Sequence, residues 1–427
     1  MIVELPVGAD ALRVDLPLRD DQIAVFRPKD EKPTKTWAEL TAEALANPLG
    51  TLPLSQQDLS GKKVAIIVDD WGRPTPAYEF VPVVLEAVKQ AGAVDKDILF
   101  VTASGMHDPM TQEELERKLG KEIVEKYKCI SHDGGDKDNL VFYGFTDSGT
   151  PIWVNRFVAE ADYKIACGRV YPHTAYGYEG GYKMILPGVS SFETIARNHS
   201  FNFSPLSDYG SMESPSRKDS DATGRKVGIE FLVNYVMNSK AEPVAAFGGV
   251  VELVHAKAVA YGDRHVWGVA LGELRDLVIA APGIPSPGVN QYTVKMASCA
   301  VKPGGTVIVL VEDEAKEPAH SDLQDMDLSD LIRLHKKRDY SLPERDIQWR
   351  LKAVRGEESR RRLYFGSEKK FVFVGGRLSD RTLALTGAIW YPTLNDAFEA
   401  CVPNVEEVQV AILPEGHKTL PLISFHT

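Results

Sequence analysis

The strongest constraint on this chain is a repeated pattern: an uninterrupted aliphatic run, a polar glycine-bearing loop, then a helical period. Residues 63–68 read KVAIIV, the pattern of a strand buried on both faces of a parallel sheet. The loop DDWGRPTP follows, and an apolar period over residues 77–91 predicts a helix that Gly92 stops. Residues 97–102 (DILFVT) repeat the strand pattern and lead into ASGMHDPM. Thr111 and Glu114 then spell a capping box ahead of a short helix ending near Gly120. A third strand is expected over residues 163–167 (YKIAC), running into GRVYPH. Strands that alternate with helices imply an α/β fold with a largely parallel sheet.

The second half of the chain repeats this logic. Residues 276–281 and 306–311 (TVIVLV) read as strands, with a helix around 291–301 between them. Residues 370–374 (KFVFV) and 408–413 (VQVAIL) are further strand candidates. A length of 427 residues suits two or three domains at ~150 residues each. The pattern favours two Rossmann-like α/β domains, residues 1–265 and 266–427, dividing within 261–275 around an interdomain cleft. Such clefts are common ligand sites. The stretch 201–225 is rich in Ser, Asp, Gly and Pro and reads as a long loop, either a functional excursion or an exposed connection.

Composition removes several classes of function. With 49 Lys+Arg against 60 Asp+Glu the net charge is −11, and there is no long basic run. That disfavours nucleic acid and anionic membranes as partners, while leaving small anions open to a local cluster of cations. The first residues, MIVELPVGAD, do not read as a secretory signal, and no apolar run approaches the ~20 residues needed to cross a bilayer. Cys129, Cys167, Cys299 and Cys401 lie far apart, as expected of reduced thiols in a cytoplasmic protein.

Ligands of open α/β sheets bind beyond the carboxyl ends of the strands. Three loops leaving those ends carry Asp69, Asp70 and Arg73; His107 and Asp108; and Arg169 and His173. The densest polar segment is YPHTAYGYEGGYKMILPGVSSFETIARNHS, residues 171–200. Its Gly177, Gly180 and Gly181 permit close backbone approach to a ligand, and Lys183 follows them. Ser190, Ser191 and Thr194 suit helix starts or phosphate contacts. No phosphate-binding P-loop, dinucleotide fingerprint or serine-hydrolase elbow is present. His173 and His199 are 26 residues apart, unlike the usual zinc spacings. Farther on, PGIPSPGVNQYTVKMASCA places Gln291, Tyr292 and Lys295 at the start of a helix, with Gln291 and Lys295 on one face.

Taken together, DDWGRPTP, SGMHDPMT, PHTAYGYEGGYKMILPG with Asn198-His199 downstream, and NQYTVK resemble the lactate racemase family, in family order over nearly the whole chain. The resemblance implies a nickel-pincer nucleotide: a pyridinium-3-thioamide-5-thiocarboxylic acid mononucleotide that holds nickel through one carbon and two sulfurs. His199 then corresponds to the protein ligand to nickel, and Lys183 to the residue that carries the cofactor through a thioamide in family members. His107 and His173 correspond to the paired acid/base residues. Asp70, Gly180 and Gly181 fall at the cofactor, and Arg73, Lys295, Gln291, Tyr292, Trp71 and Asp108 at the substrate. Tyr292 stands where a glutamine is usual, and Gln291 where a tyrosine is common. The expected reaction inverts C2 of a 2-hydroxy acid, and cofactor-synthesis proteins are the expected partners.

Departures from the family pattern bear on the substrate. Trp71-Gly72 replaces smaller residues followed by Thr, and Asp108 stands where lactate racemases commonly carry Arg. Tyr176, Tyr178 and Glu179 add polar groups to the glycine loop. Asp108 and Glu179 would repel a second carboxylate and accept hydrogen bonds from hydroxyls, which favours a larger or polyhydroxylated acid, such as a sugar acid, over lactate. Two other readings remain open on the sequence: a noncatalytic binder of the nucleotide, and a conventional metal-dependent hydrolase or lyase using His173 and His199. The retained pair His107 and His173 argues for the enzyme.

Overall fold

The computed structural model describes residues 2–8, 10–173, 175–203, 209–314 and 369–425. The chain divides into a central unit, Asp30–Gly262, and a terminal unit formed by Met1–Lys29 with Asp263–Thr427. Among the described residues no helix is long and apolar enough to cross a membrane.

The central unit is built on a six-stranded sheet. Its order is Pro243–Gly249, Phe231–Met237, Tyr163–Val170, Val64–Asp69, Ile98–Ala103 and Lys128–Ser131. All neighbours run parallel except the antiparallel pair Phe231–Met237 and Pro243–Gly249. The apolar runs are continuous because both faces are covered. Val64, Ile66 and Val68 pack with Phe80, Val84 and Phe100, whereas Ile67 points into a second cluster with Val101, Ala166 and Val254. The first crossover helix is Ala77–Gln90, and Gly92 beyond it adopts φ +100°, a conformation suited to glycine. The helix Gln112–Leu119 carries the expected capping box, Thr111 with Glu114, and ends at Gly120 with φ +94°.

Strand order places the site. The chain moves outward from Val64–Asp69 to Ile98–Ala103 and Lys128–Ser131, then returns to the other side of Val64–Asp69 as Tyr163–Val170. This reversal opens a crevice beyond the carboxyl ends of Val64–Asp69 and Tyr163–Val170. Those ends lead directly into the loops bearing Asp70 and Arg73 and the loop bearing His173.

The terminal unit holds a parallel six-stranded sheet in the order Ile389–Tyr391, Lys370–Gly375, Val301–Val311, Arg275–Ala280, Val410–Leu413 and Ile23–Val25. Alternate residues again face different cores, Ile279 and Ile308 toward Phe398, Val278 and Val307 toward Val294 and Ala297. The sequence alone assigns residues 1–29 to the first domain. In the structure they join the terminal unit, because Ile23–Val25 adds an edge strand beside Val410–Leu413. A second difference lies in the stretch 201–225. Residues 204–208 fall outside the described residues, but Pro215–Val227 is a helix, with Ser214 capping it and Pro at its first position. That pair is a recognised helix start, and the abundance of serine and aspartate in the segment masks it.

Candidate active site

The loop after Val64–Asp69 is held by a buried lysine. Lys118 Nζ donates to Asp69 Oδ1 at 2.8 Å, to the Arg73 carbonyl at 3.1 Å and to the Thr75 carbonyl at 2.8 Å. Asp69 also accepts from the Thr75 hydroxyl, and its other oxygen accepts from the Arg169 backbone N–H at 3.3 Å. One carboxylate therefore joins the two strand ends that flank the crevice. Lys118 lies in the last turn of a helix rich in charged residues, so its role is invisible from periodicity alone.

Next to it, Asp70 is 2% exposed and its carboxylate meets His107 Nδ1. A carboxylate accepts only, so Nδ1 carries a proton, and in the neutral ring Nε2 is left with the lone pair. Asp70, expected at the cofactor, thus contacts an expected acid/base residue. Gly72 is fitted to the same ring: a Cβ there would lie 3.0 Å from His107 Cε1. The indole of Trp71 is 55% exposed, with its centroid 6.4 Å from the His107 ring. Asp108 is exposed.

His173 is set differently. The Ala175 backbone N–H donates to its Nδ1 at 3.1 Å, which leaves the proton of the neutral ring on Nε2. Burial, foremost, pushes its pKa well below 6.5; Lys183, Arg73 and His199 push the same way against the pull of Glu179. As neutral rings the two histidines therefore differ at Nε2, a lone pair in His107 and an N–H in His173.

Around His173 runs a compact ion network. Glu179 is buried, with Arg169 Nε at 2.6 Å and Arg73 Nη2 at 3.0 Å. Burial would raise its pKa, but Arg169, Arg73 and Lys183 outweigh that and hold the carboxyl well below its ordinary range. Glu179 is thus committed to two guanidiniums. Lys183 is buried too, with its amine 4.4 Å from the centroid of the Tyr176 ring. Burial lowers its pKa to about 7; Glu179 opposes that shift, and Arg73, Arg217 and Arg169 reinforce it. An amine of that pKa is substantially neutral near pH 7 and nucleophilic.

The glycine loop ahead of Lys183 is shaped by contacts within the protein. Gly177 adopts φ +69°, and a Cβ there would sit 2.0 Å from the Ser211 carbonyl oxygen. At Gly180 a Cβ would lie 2.7 Å from Val170 Cγ2, and at Gly181 2.7 Å from Arg217 Nη2. Arg217 is 2% exposed; it donates to the carbonyls of Tyr178 at 3.2 Å and Gly180 at 3.3 Å, and its guanidinium meets the His255 ring at 3.0 Å. Asn234 accepts from the Gly181 N–H at 3.2 Å and donates to the Gly168 carbonyl at 3.0 Å. Sequence reasoning missed Arg217, Asn234 and His255. An asparagine inside FLVNYVM, an otherwise apolar strand, is the signal that could have exposed one of them.

Ser190 and Ser191 turn out to serve local structure. The Ser190 hydroxyl bonds the Ile185 carbonyl at 2.7 Å, and Ser191 caps the helix Phe192–His199 by accepting from the Thr194 N–H. His199 ends that helix, with Nδ1 3.3 Å from the Tyr176 hydroxyl, whose ring stands edge-on to His173 at 5.3 Å. Tyr176 thus touches Lys183, His173 and His199.

Gln291, Tyr292 and Lys295 belong to the terminal unit. They lie on the helix Gln291–Ser298, which Asn290 caps by accepting from the Thr293 N–H at 2.9 Å. The helix follows Arg275–Ala280, which pairs with Val410–Leu413 where that sheet's strand order reverses. Lys295 is buried and Tyr292 is 52% exposed.

Similarity to known proteins follows the same lines. The lactate racemase N-terminal domain matches residues 8–210. A lactate racemase from Thermoanaerobacterium thermosaccharolyticum is 30% identical over 322 residues, 73% of this chain and 74% of the relative. One from Lactiplantibacillus plantarum is 32% identical over 220 residues, 51% of this chain and 52% of the relative. The solved lactate racemase apoprotein from T. thermosaccharolyticum matches with a TM-score of 0.76 at 25% identity, over 99% of this chain and 100% of that one. A Thermotoga maritima protein shares the fold, with a TM-score of 0.53 at 18% identity over 90% of this chain and 97% of that one. The chain belongs to the lactate racemase family and is an isomerase, a racemase or epimerase of a hydroxy acid.

Proposed function

We propose that the enzyme inverts C2 of a 2-hydroxy acid larger than lactate by reversible removal of the C2 hydrogen as hydride, with a nickel-pincer nucleotide at Lys183 and His199. The observation that carries this reading is the convergence of the His107–Asp70 pair, Arg73, His173 and Lys183 on one strand-order reversal. The donor set suits the group. Imidazole is a good nickel ligand, and a buried lysine with its pKa lowered to about 7 suits a covalent thioamide link. Among the described residues no three His, Cys, Asp or Glu side chains gather as a metal site. A metal at His199 whose other donors come from a bound group fits that set.

When bound, the nucleotide supplies the hydride-accepting centre. The chain's own residues handle protons and position. As the C2–H electron pair departs, the C2–O bond becomes a carbonyl and the hydroxyl proton must go to a base. His107 Nε2 offers the lone pair, and Asp70 stabilises the resulting imidazolium. His173 offers its Nε2–H to the keto oxygen when the 2-keto acid presents its other face. Hydride then returns to that face of C2 and the proton held on His107 returns to the oxygen, which completes the inversion and leaves both histidines in their starting protonation states. Arg73, held by Glu179 at Nη2 and by the Gly72 carbonyl at Nη1, is the proposed cation for the substrate carboxylate. Lys295 is the proposed second cation for substrate, with Gln291 and Tyr292 alongside it on the same helix.

The substrate argument now rests on Trp71 and Asp108 rather than on Glu179, whose charge Arg73 and Arg169 already engage. An exposed indole beside the proposed base gives a face for the carbon chain of a sugar acid, and an exposed carboxylate on the neighbouring loop gives an acceptor for its hydroxyls. A panel of 2-hydroxy acids, followed by C2 stereochemistry with holoenzyme made alongside cofactor-synthesis proteins, tests this. Sugar acids should exceed lactate in kcat/KM, and Trp71→Ala should narrow the gap by about tenfold, the size of one lost hydrophobic contact. Turnover of lactate above every sugar acid contradicts the substrate reading.

A further inference from the structure

Tyr176 sits between three residues of the proposed site, and the protons around it can be assigned one by one. The chain begins at Asp219, a buried carboxylate that accepts from the Thr146 hydroxyl at 2.6 Å, the Thr150 hydroxyl at 2.9 Å and Asn198 Nδ2 at 2.9 Å. Asn198 Nδ2 also donates to the Ser216 carbonyl at 2.9 Å. Both partners of that nitrogen are acceptors, so the amide cannot be reversed without setting oxygen against oxygen. Asn198 Oδ1 therefore faces the Tyr176 hydroxyl and accepts its hydrogen. Tyr176 has one hydrogen to give and has given it. The remaining contact of its oxygen, His199 Nδ1 at 3.3 Å, then requires the imidazole to be the donor.

We infer that Asp219, Asn198 and Tyr176 form a relay that fixes His199 as the Nδ1–H tautomer and so reserves Nε2 as its metal-binding nitrogen. This rests on the proposed role of His199 at nickel. The relay is the protein's outer support for that nitrogen, of the kind that orients metal-bound histidines elsewhere. Tyr176 and Asn198 are positioning residues, since they act through His199. Burial and the Asp219 charge push the Tyr176 phenol upward, which keeps its hydroxyl a donor. All the fixed partners are protected: Asn198, Ser216, Asp219 and Thr150 are completely or almost completely inaccessible. The relay is built entirely from the protein's own buried groups, and its first test needs no cofactor.

Histidine-selective 15N labelling of the apoprotein, read by long-range 1H–15N correlation at a pH of about 8, reports each ring's tautomer above the ordinary histidine pKa of ~6.5. His199, assigned by its loss in His199→Gln, should show a protonated Nδ1 and a pyridine-like Nε2. Tyr176→Phe keeps the ring against Lys183 and His173 and removes only the hydroxyl. In that variant the His199 signals should move toward the Nε2–H form. Nickel retained by the holoenzyme through dialysis against a chelator should then fall about 10-fold to 100-fold, the usual range for loss of an outer partner. Asn198→Asp, which replaces the amide donor with a second carboxylate against Asp219, should reproduce both effects. An Nε2–H tautomer in the unaltered protein overturns the relay, as does an unchanged tautomer in Tyr176→Phe. If the tautomer shifts as expected and nickel retention does not change, the relay stands and His199 loses its place as the nickel ligand.

Discussion

At the scale of single residues, the two histidines illustrate what sequence patterns can and cannot tell. Their positions after parallel strands were legible, because strand ends are where α/β folds bind ligands. Their difference was not, because it depends on one hydrogen bond each, given by the His107 ring to Asp70 and by the Ala175 backbone to the His173 ring. The same holds for Glu179, which reads as a free carboxylate in the sequence and is neutralised by Arg73 and Arg169 in the fold. The assignment of His107 as base makes a specific prediction. His107→Ala should lower kcat for inversion by about 10²-fold to 10⁴-fold, the usual contribution of a positioned base. Asp70→Asn should give a comparable loss, with KM little changed, because it removes the charge that stabilises imidazolium and not a substrate contact. Steady-state kinetics on the two variants, with nickel content measured in parallel, checks both. Wild-type kcat with either variant removes His107 from the reaction.

At the scale of elements, the strands and their caps follow from local rules, whereas the glycine loop follows from what surrounds it. KVAIIV can only be a strand buried on both sides, and Thr111 with Glu114 fixes a helix start to the residue. By contrast, the sequence presents Gly177, Gly180 and Gly181 as room for a ligand. In the structure they make room for Ser211, Val170, Asn234 and Arg217. Most of these neighbours come from segments far along the chain that no local window connects. Gly177→Ala should destabilise the protein by more than ~1 kcal/mol, since φ +69° is unfavourable for alanine and its Cβ would lie 2.0 Å from the Ser211 oxygen. Chemical denaturation measures this, and an unchanged midpoint would show that the loop relaxes without cost. The helix Pro215–Val227 carries the companion lesson. Its cap, Ser214 before Pro215, is masked by the surrounding serines and aspartates, and its buried Arg217, which clamps the loop through two carbonyls, had no counterpart in composition.

At the scale of the whole molecule, acidity and buried histidines shape behaviour with pH. A net charge of −11 coexists with a site where Arg73, Arg169 and Lys183 surround one carboxylate, so the local field opposes the global one. His132 is fully buried, donating to the Ser190 carbonyl at 2.9 Å and accepting from Asn155 Nδ2 at 3.2 Å. Burial, foremost, lowers its pKa to about 4. The unfolded chain binds a proton here below ~6.5, whereas the folded chain does not until about pH 4. The stability present above pH ~6.5 is therefore lost as the pH falls through that window, by about 1.4 kcal/mol per unit for this residue. His132→Gln should make the decline of unfolding free energy between pH ~6.5 and ~4 shallower by that slope. An identical slope in the variant would show that His132 protonates in the folded state.

In the proposed reaction hydrogen leaves C2 with its electrons and comes back to the opposite face without meeting solvent. Holoenzyme turning over a 2-hydroxy acid deuterated at C2, in ordinary water, tests it most directly by mass spectrometry of the inverted product. Deuterium retained at C2 through inversion is the predicted result. Inverted product carrying solvent hydrogen at C2 would show proton abstraction and contradict the account.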